Sequence, residues 1–370
     1  MDELILAAVV ATRVAVPLAI PRFPLPAMLA ALVIDGIDQT IFQTFTSLDL
    51  AGYQSYDKAL DVYYLSIAYV ATLRNWTNLA AYGVSRFLYY YRLVGVVLFE
   101  LSQLRWLLLV FPNTFEYFFD FYEAVRTRWD PRRMSLGLVI GAAAFIWIFI
   151  KLPQEWWIHV AQLDMTDFIK QQVFGVSPDS SWAEAITANP TVLLVAGVVV
   201  ALLGLLGWWL LTRRLPPADR PFTLDADALQ PPVPETAIRQ RRERMAGTLF
   251  DRELLEKIVL VSLVSVIFGR MLPGDDLPPL GLAVGVAVVI LANTAITEWQ
   301  IRRGRRWGSV VTQFGLMLAL NVAIVAVAGF LLRIANAEPI QHALVFVLLL
   351  TLIVTLYDRY RPVHLARFGL

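Results

Sequence analysis

Four aspartates near the N-terminus lie in two pairs whose spacing suits a helix. Asp35 and Asp38 are three residues apart, and Asp57 and Asp61 are four apart. Residues at these spacings project from the same face of an α-helix. If the two helices pack as an antiparallel hairpin, the pairs converge and bring four carboxylates together.

Carboxylates gathered in a medium of low dielectric constant repel one another strongly. They must then be protonated, paired with cations, or bound to metal. The hard cations Mg²⁺, Mn²⁺ and Ca²⁺ prefer oxygen ligands of this kind. A metal held here would bind phosphate oxygens and activate a hydroxyl group, so the hairpin predicts metal-dependent phosphate chemistry.

Three basic residues are the candidates for binding a phosphate group: Lys58, Arg86 and Arg92. The two arginines interrupt an otherwise apolar and aromatic segment, and guanidinium groups bind phosphate through paired hydrogen bonds. An alternative is that the arginines form buried ion pairs with nearby acidic groups. Those acidic groups are Glu100, Glu116, Asp120 and Glu123.

A structural alternative also exists for the hairpin itself. Aspartates at a junction between helix and loop commonly cap the next helix and solvate the turn. Asp57 and Lys58 are adjacent in sequence and would then form a local ion pair. Under this alternative the carboxylates take no part in chemistry.

Composition predicts an integral membrane protein. Of the 370 residues, 58% are hydrophobic and 16% are charged, which lies outside the range of ordinary soluble domains. The formal net charge of +1 gives no support to a nucleic-acid partner. Cysteine is absent, which excludes disulfides, thiolate metal sites and cysteine nucleophiles.

Apolar runs of about 20 residues predict membrane-spanning helices. Arg13 lies in the middle of the first run, where an arginine is costly, so this run suits an interfacial helix as well as a span. We therefore expect an all-α, polytopic integral membrane protein with about ten transmembrane helices. The apolar runs are 4–20, 25–47, 55–73, 78–99, 104–125, 135–151, 191–212, 254–271, 279–297, 309–333 and 342–357.

One polar segment divides the chain. Residues 214–253 are rich in proline and charge and have no apolar face, which predicts a linker followed by a basic helix. We expect an N-terminal membrane module at 1–213 and a C-terminal four-helix module at 254–370. Arginine clusters recur in the loops on one side, which places residues 214–253 and the C-terminus in the cytoplasm.

The aspartate pattern resembles the signature of the CDP-alcohol phosphotransferases, D-x2-D-G-x2-A-R and then G-x3-D-x3-D on two adjacent membrane helices. Asp35-x2-Asp38 and Asp57-x3-Asp61 match its four metal-binding aspartates, with Gly52 near the second pair. By that resemblance Asp35, Asp38 and Asp57 bind metal. Asp61 binds metal or is the catalytic base that deprotonates the acceptor alcohol.

The sequence departs from that signature in two places. Asp38 is followed by QTIF, so the family's glycine and arginine are missing, and Gly52 lies one residue too far from Asp57. Orientation adds a conflict, because counting one crossing for each segment puts the loop after Asp38 outside, whereas the family's aspartates face the cytoplasm. The conflict is removed if segment 104–125 is re-entrant or if the site faces outward.

These observations predict a metal-dependent membrane enzyme that transfers or hydrolyses a phosphate-containing group on a lipid or polyprenyl substrate. Its cofactor would be Mg²⁺, Mn²⁺ or Ca²⁺, and no residue is assigned to an organic cofactor. The alternatives are an ion or proton channel or transporter, and a non-catalytic subunit of a membrane complex. Expected partners are membrane lipids, a lipid-phosphate substrate and other subunits of an oligomer or complex, and the expected location is the cell membrane, crossed several times.

Overall fold

The computed structural model describes residues 2–46, 53–163, 165–214, 216–229, 232–246, 252–270, 310–331 and 337–369. Every regular element within these ranges is helical, which agrees with the predicted class. The predicted apolar segment 279–297 and Gly52 of the aspartate motif lie outside the described residues.

Short 3₁₀ turns at Val16–Ala19 and Pro131–Arg133 separate some of the helices. Three other stretches of the described chain are π-helical, namely Ile146–Lys151, Trp156–Val160 and Ile169–Phe174. In chain order, the helices are α1 Asp2–Ala15, α2 Pro24–Phe45, α3 Tyr53–Asn75, α4 Leu79–Ser102, α5 Trp106–Val110, α6 Thr114–Arg126, α7 Leu136–Val160, α8 Met165–Phe168, α9 Trp182–Ala188, α10 Pro190–Arg214, α11 Ala226–Leu229, α12 Glu235–Ala246, α13 Arg252–Arg270, α14 Val310–Leu331 and α15 Ala337–Phe368.

Polar side chains fix several helix ends. Asn78 begins α4, and its side chain accepts a 3.0 Å hydrogen bond from the backbone N–H of Ala81. Ser135 begins α7 in the same way, with a 3.2 Å bond from Leu138. These caps satisfy backbone donors that the first helical turn leaves without a partner. At its other end α4 stops at Gln103, whose φ of 57° is left-handed.

Helix α3 is the centre of the fold. Every residue from Ala59 to Leu73 is buried except Asp61. Helices α1, α2, α4, α13 and α15 pack around it, so apolar side chains on all its faces contact protein. Asp61 is therefore the one partly exposed residue in this stretch of the central helix.

Aromatic contacts join α3 to its neighbours. At the end of α3, the ring of Trp76 stacks on Tyr122 of α6 with centroids 3.8 Å apart, and its Nε1 donates a 2.8 Å hydrogen bond to Glu123. Tyr69 of α3 stacks on Tyr89 of α4 at 4.4 Å. Such pairs add to the free energy of burial, and they hold the helices that carry the candidate residues in one arrangement.

The prediction of about ten transmembrane helices is wrong. In the described ranges one helix, α7, is long and apolar enough to cross a membrane, or two if α9 and Pro190–Leu206 of α10 together count as one bent span. The interpretation of the chain as a bundle of about ten spans fails with it. One or two candidate spans also give no support to the channel or transporter alternative.

The overcount has a physical cause. A helix that is apolar on all sides suits either the interior of a large protein or a membrane, and α3 is enclosed by other helices. Helix α4 carries Arg86, Arg92 and Glu100 together with several tyrosines. These polar groups shorten its apolar stretch below what a span requires.

The described helices of residues 254–370 do not form a separate core. Helix α13 packs on α4, and α15 packs on α3 and α14. The linker also docks, since Asp219 N donates 3.0 Å to Arg128 O and Ala226 N donates 2.8 Å to Arg22 O. The two-module division of the chain stays a prediction.

Candidate functional site

One guanidinium group lies among all four of the predicted aspartates. Arg13 of α1 donates through Nη1 to Asp38 and Asp57, and through Nη2 to Asp35 and Asp61. The bond from Arg13 Nη2 to Asp61 Oδ1 is 2.7 Å long. The predicted pairs on α2 and α3 therefore do converge, and they do so around a residue of a third helix.

Helix α1 is held in place beside this cluster. It packs on α2 and α3, and the hydroxyl of Tyr63 on α3 donates a 3.0 Å hydrogen bond to the carbonyl of Val14. Val14 follows Arg13 directly, so this bond fixes the backbone next to the guanidinium. Arg13 therefore enters the cluster from a helix end that is anchored to the central helix.

The cluster has a closed base and an open side. Side chains at the base are almost fully buried, with 3% exposure for Arg13 and 4% for Asp38. Asp35 is 27% exposed, whereas Asp57 and Asp61 are 41% and 40% exposed. A small ion or substrate group would therefore reach the cluster from the side of α3.

Charge in the cluster is not balanced by Arg13. Four carboxylates against one guanidinium leave three formal negative charges, since 4 − 1 = 3. Partial burial raises the pKa of Asp61 well above its ordinary value, and the neighbouring Asp35 raises it further. Burial also raises the pKa of Asp57, although Arg13 acts in the opposite direction. The excess negative charge must be taken up by protons or by further cations.

Three of the carboxylates have the arrangement of a metal site. Asp35, Asp57 and Asp61 each offer an oxygen, and these oxygens lie within 4.8 Å of one another. Ligands on opposite sides of a Ca²⁺ ion are about 5 Å apart, and those of Mg²⁺ are about 4 Å apart. The three oxygens can therefore surround one hard divalent ion. Asp38, at the base, bonds to the same guanidinium.

Lys58 lies beside the cluster and contacts another carboxylate. Its Nζ is 3.3 Å from Glu100 Oε1 and 5.4 Å from the ring centre of Phe99, and its side chain is 48% exposed. Asp57 bonds to Arg13 rather than to Lys58. The local ion pair considered from the sequence is therefore replaced by two separate contacts.

The predicted arginine clamp has other partners. Arg86 Nη1 lies 3.6 Å from Glu256 Oε2 of α13, and Arg92 Nη1 donates a 3.0 Å hydrogen bond to the carbonyl of Phe111. Neither contact involves the four aspartates. In the described structure Arg86 and Arg92 therefore bind other parts of the protein, and their phosphate-binding role stays a prediction.

The acidic stripe on α6 is balanced by residues that the sequence did not single out. Glu116 Oε2 lies 4.0 Å from Lys151 Nζ of α7, and Glu123 pairs with Arg126 at 3.1 Å. Burial raises the pKa of Asp120 to about 8, and the neighbouring Glu116 and Glu123 add to the rise. Asp120 is therefore a carboxyl group that retains its proton near neutral pH.

Arg13 and Glu256 are the two residues that matter most among those the sequence did not assign to a site. Glu256 accepts a hydrogen bond from Tyr69 and pairs with Arg361 at 3.2 Å. Arg13 gave a signal in the sequence, because an arginine within an apolar run requires a buried counter-ion. Glu256 gave none, since its partners lie on helices far away along the chain.

Comparison with known proteins adds no family. No protein-family model, no curated protein and no solved structure matches the chain. The resemblance to the CDP-alcohol phosphotransferases therefore depends on aspartate spacing alone and stays a prediction.

Proposed function

We propose that the four aspartates form a divalent-cation centre that transfers or hydrolyses a phosphate-containing group of a lipid or polyprenyl substrate. The observation that carries this proposal is the unbalanced charge of the cluster. Asp35, Asp38, Asp57 and Asp61 converge on a single guanidinium. Carboxylates this close repel one another, so a bound cation or proton lowers the free energy of the site.

The type of ligand supports a hard divalent ion. Carboxylate oxygens favour Mg²⁺, Mn²⁺ or Ca²⁺ over softer metals. Asp35, Asp57 and Asp61 lie close enough to share one ion. A bound ion of this class supplies charge that holds phosphate oxygens and lowers the pKa of a hydroxyl group.

The residues of the chain would divide the work as follows. Asp35, Asp57 and Asp61 supply the oxygens on the open side of the cluster, and Asp38 and Arg13 fix its base. Asp61 is our candidate for the base that accepts a proton from the attacking hydroxyl, because its pKa is raised. The half-exposed Lys58 lies on the same helix and is the basic residue best placed to contact a phosphate group.

A second candidate is favoured by Arg13. One arginine that bonds to four carboxylates on two helices would fix the packing of α1, α2 and α3 without any metal. Buried ionic groups of this kind fix the arrangement of helices in some proteins. The chain would then be a non-catalytic subunit of a membrane complex.

A metal-dependent activity assay tests the enzyme proposal. The purified protein is incubated with a polyprenyl phosphate, a polyprenyl diphosphate or a nucleotide-activated lipid, and the released phosphate or nucleotide is measured with Mn²⁺ and with EDTA. We expect release that requires Mn²⁺ and is lost in Asp61→Asn. The control is Asp130→Asn, because Asp130 lies outside the cluster and pairs with Arg132. Equal release with EDTA, or in Asp61→Asn, would contradict the proposal.

A further inference from the structure

Helix α7 has the reverse of the polarity that a soluble protein requires. One side packs in the core through Val139 and Ile146, but many of its other apolar side chains are exposed. Among the most exposed are Leu136, Leu138, Ile140, Phe145, Ile148 and Phe149, at 50–66%. Its charged residues face inward, since Lys151 and Glu155 are 3% and 5% exposed. Lys151 lies over the ring of Tyr117 at 3.9 Å, and Glu155 accepts a hydrogen bond from the N–H of Asn113. Exposure of so large an apolar surface to water is unfavourable.

Helix α10 has an exposed apolar surface of the same kind. No charged residue occurs between Pro190 and Trp209. Leu194 and Val200 are both 68% exposed, and Leu203 is 62% exposed. A core helix of a soluble protein would bury these side chains. The surface of both helices is therefore suited to hydrocarbon.

The start of α7 lies next to the end of α10. Trp129, just before α7, donates from Nε1 a 3.0 Å hydrogen bond to the carbonyl of Pro216, just after α10. Asp219 N donates 3.0 Å to the carbonyl of Arg128, and Asp219 also pairs with Arg133 at 2.5 Å. The start of α7 and the end of α10 are therefore held together through residues 128–133 and 216–219.

The lengths of both helices match a bilayer. About 20 residues separate the start of α7 from Trp156, and a similar number separate Pro190 from Trp209, so each stretch is about 30 Å long. That is the thickness of the hydrocarbon core. Tryptophan occurs at both ends of this distance, as Trp129 and Trp209 at one end and Trp156 and Trp182 at the other, and tryptophans collect at membrane–water interfaces.

Basic residues mark one end. Between residues 152 and 189 the sequence has one lysine and no arginine. The opposite end carries Arg128, Arg132 and Arg133 before α7, and Arg213 and Arg214 at the end of α10. Arg132 and Arg133 are 63% and 75% exposed although each pairs with an aspartate, so they lie at the surface where anionic lipid headgroups would be.

We infer that residues 134–215 form a two-span hairpin inserted in a lipid bilayer, with α7 and α10 as the spans and the arginine-rich end on the cytoplasmic side. The partner is the hydrocarbon of the bilayer with an anionic headgroup layer at the arginine end. The hairpin involves none of the residues of the aspartate cluster, so it stands or fails independently of the proposed enzyme.

The absence of cysteine allows a direct test of this topology. Single-cysteine variants of the full chain are made at two exposed positions, Ser177→Cys in the far connection and Ala218→Cys at the arginine end. Sealed vesicles of known orientation are treated with a membrane-impermeant maleimide, before and after detergent. We expect Ala218→Cys to be labelled from the cytoplasmic side and Ser177→Cys only from the opposite side, with equal labelling after detergent.

Three outcomes would contradict the hairpin. Labelling of both positions from the same side of intact vesicles would overturn the hairpin. So would release of the chain from vesicles by alkaline carbonate as a detergent-free oligomer, because the exposed apolar faces would then be covered by a second copy. A third variant, Leu203→Cys, lies in the middle of α10 and should resist labelling in intact vesicles from both sides. Ready labelling of this position would also contradict insertion.

Discussion

Arg13 and Asp61 are joined by a 2.7 Å hydrogen bond from Nη2 to Oδ1, which links the first helix to the central one. Asp61 is also the one residue that is not buried between Ala59 and Leu73. The buried guanidinium and the partly exposed carboxylate therefore form the boundary between the closed base of the cluster and its open side. Arg13 is therefore either the one cation that the cluster holds or the first of two, the second being a bound metal ion.

Replacement of Arg13 distinguishes these roles. In Arg13→Gln, four carboxylates lose their counter-ion, and removal of one partner from a buried ionic group costs about 3–5 kcal/mol. We expect a large fall in Tm without divalent ions. If the cluster binds metal, Mg²⁺ or Mn²⁺ should raise the Tm of Arg13→Gln more than that of the wild type, because the ion replaces the lost charge.

The matched control for this experiment is Arg22→Gln. Arg22 lies in the same region, but its side chain is 64% exposed and 3.6 Å from Asp225. An exposed ion pair contributes little stability, so we expect a small change in Tm and no response to divalent ions. If Mn²⁺ does not change the Tm of Arg13→Gln, the result would favour a purely structural role for the cluster.

Metal affinity should depend on pH through Asp61. Because burial and Asp35 raise the pKa of Asp61, this carboxyl retains its proton at pH values where an ordinary aspartate has lost it. A metal ligand must be deprotonated, so Mn²⁺ affinity should increase as pH rises through this raised pKa. In Asp61→Asn the affinity should fall and the pH dependence should weaken, as measured by electron paramagnetic resonance of free Mn²⁺. An unchanged pH profile in Asp61→Asn would exclude this residue as a ligand.

Gly95 in α4 allows the close approach of Phe111. A Cβ atom added at Gly95 would lie 2.1 Å from the Cβ of Phe111, so the backbone would have to move. We expect Gly95→Ala to destabilise the protein by about 1–3 kcal/mol. Gly83 is the control in the same helix, because a Cβ there meets nothing within 4 Å. Gly83→Ala should be neutral or stabilising by about 0.5–1 kcal/mol. Equal Tm values for the two variants would contradict this packing.

Asp120 should give the fold a pH dependence of defined sign. Its pKa is about 8 in the folded protein against 3.8 for the ordinary group. The folded state therefore binds the proton more tightly, and stability should fall as pH rises between about 4 and about 8. In Asp120→Asn this component is removed, and we expect a gain of about 1 kcal/mol or more at neutral pH.

The control for Asp120 has the opposite sign. The hydrogen bond from Arg132 lowers the pKa of Asp130, so Asp130→Asn should lose rather than gain stability at neutral pH. Denaturation curves at several pH values compare the two variants with the wild type. A stability curve of Asp120→Asn parallel to that of the wild type would mean that this carboxyl ionises normally.

The convergence of the aspartates was predictable because it depends on local geometry. Spacings of three and four residues put each pair on one helix face, and a short connection makes the two helices antiparallel. The position of Arg13 was not predictable in the same way. Its place in the cluster depends on how α1 packs against α2 and α3, which spacing within one helix does not contain.

The number of membrane spans was overestimated because hydropathy does not show what covers an apolar helix. The apolar character of α3 is real, but α13 and α15 provide the surroundings that lipid was expected to provide. For α7 the sequence and the structure agree, because its apolar face remains exposed after the chain has folded. Hydropathy indicates that a helix is shielded from water, and tertiary packing decides whether protein or lipid shields it.

The most direct test of the metal centre is a crystal of the protein soaked in Mn²⁺ and measured by anomalous scattering. We expect a single strong peak with oxygens of Asp35, Asp57 and Asp61 at about 2.2 Å, and a shift of the Arg13 guanidinium away from them. A map without a peak, in which Arg13 keeps its bonds to all four carboxylates, would contradict the metal centre and leave the cluster as a structural ion-pair network.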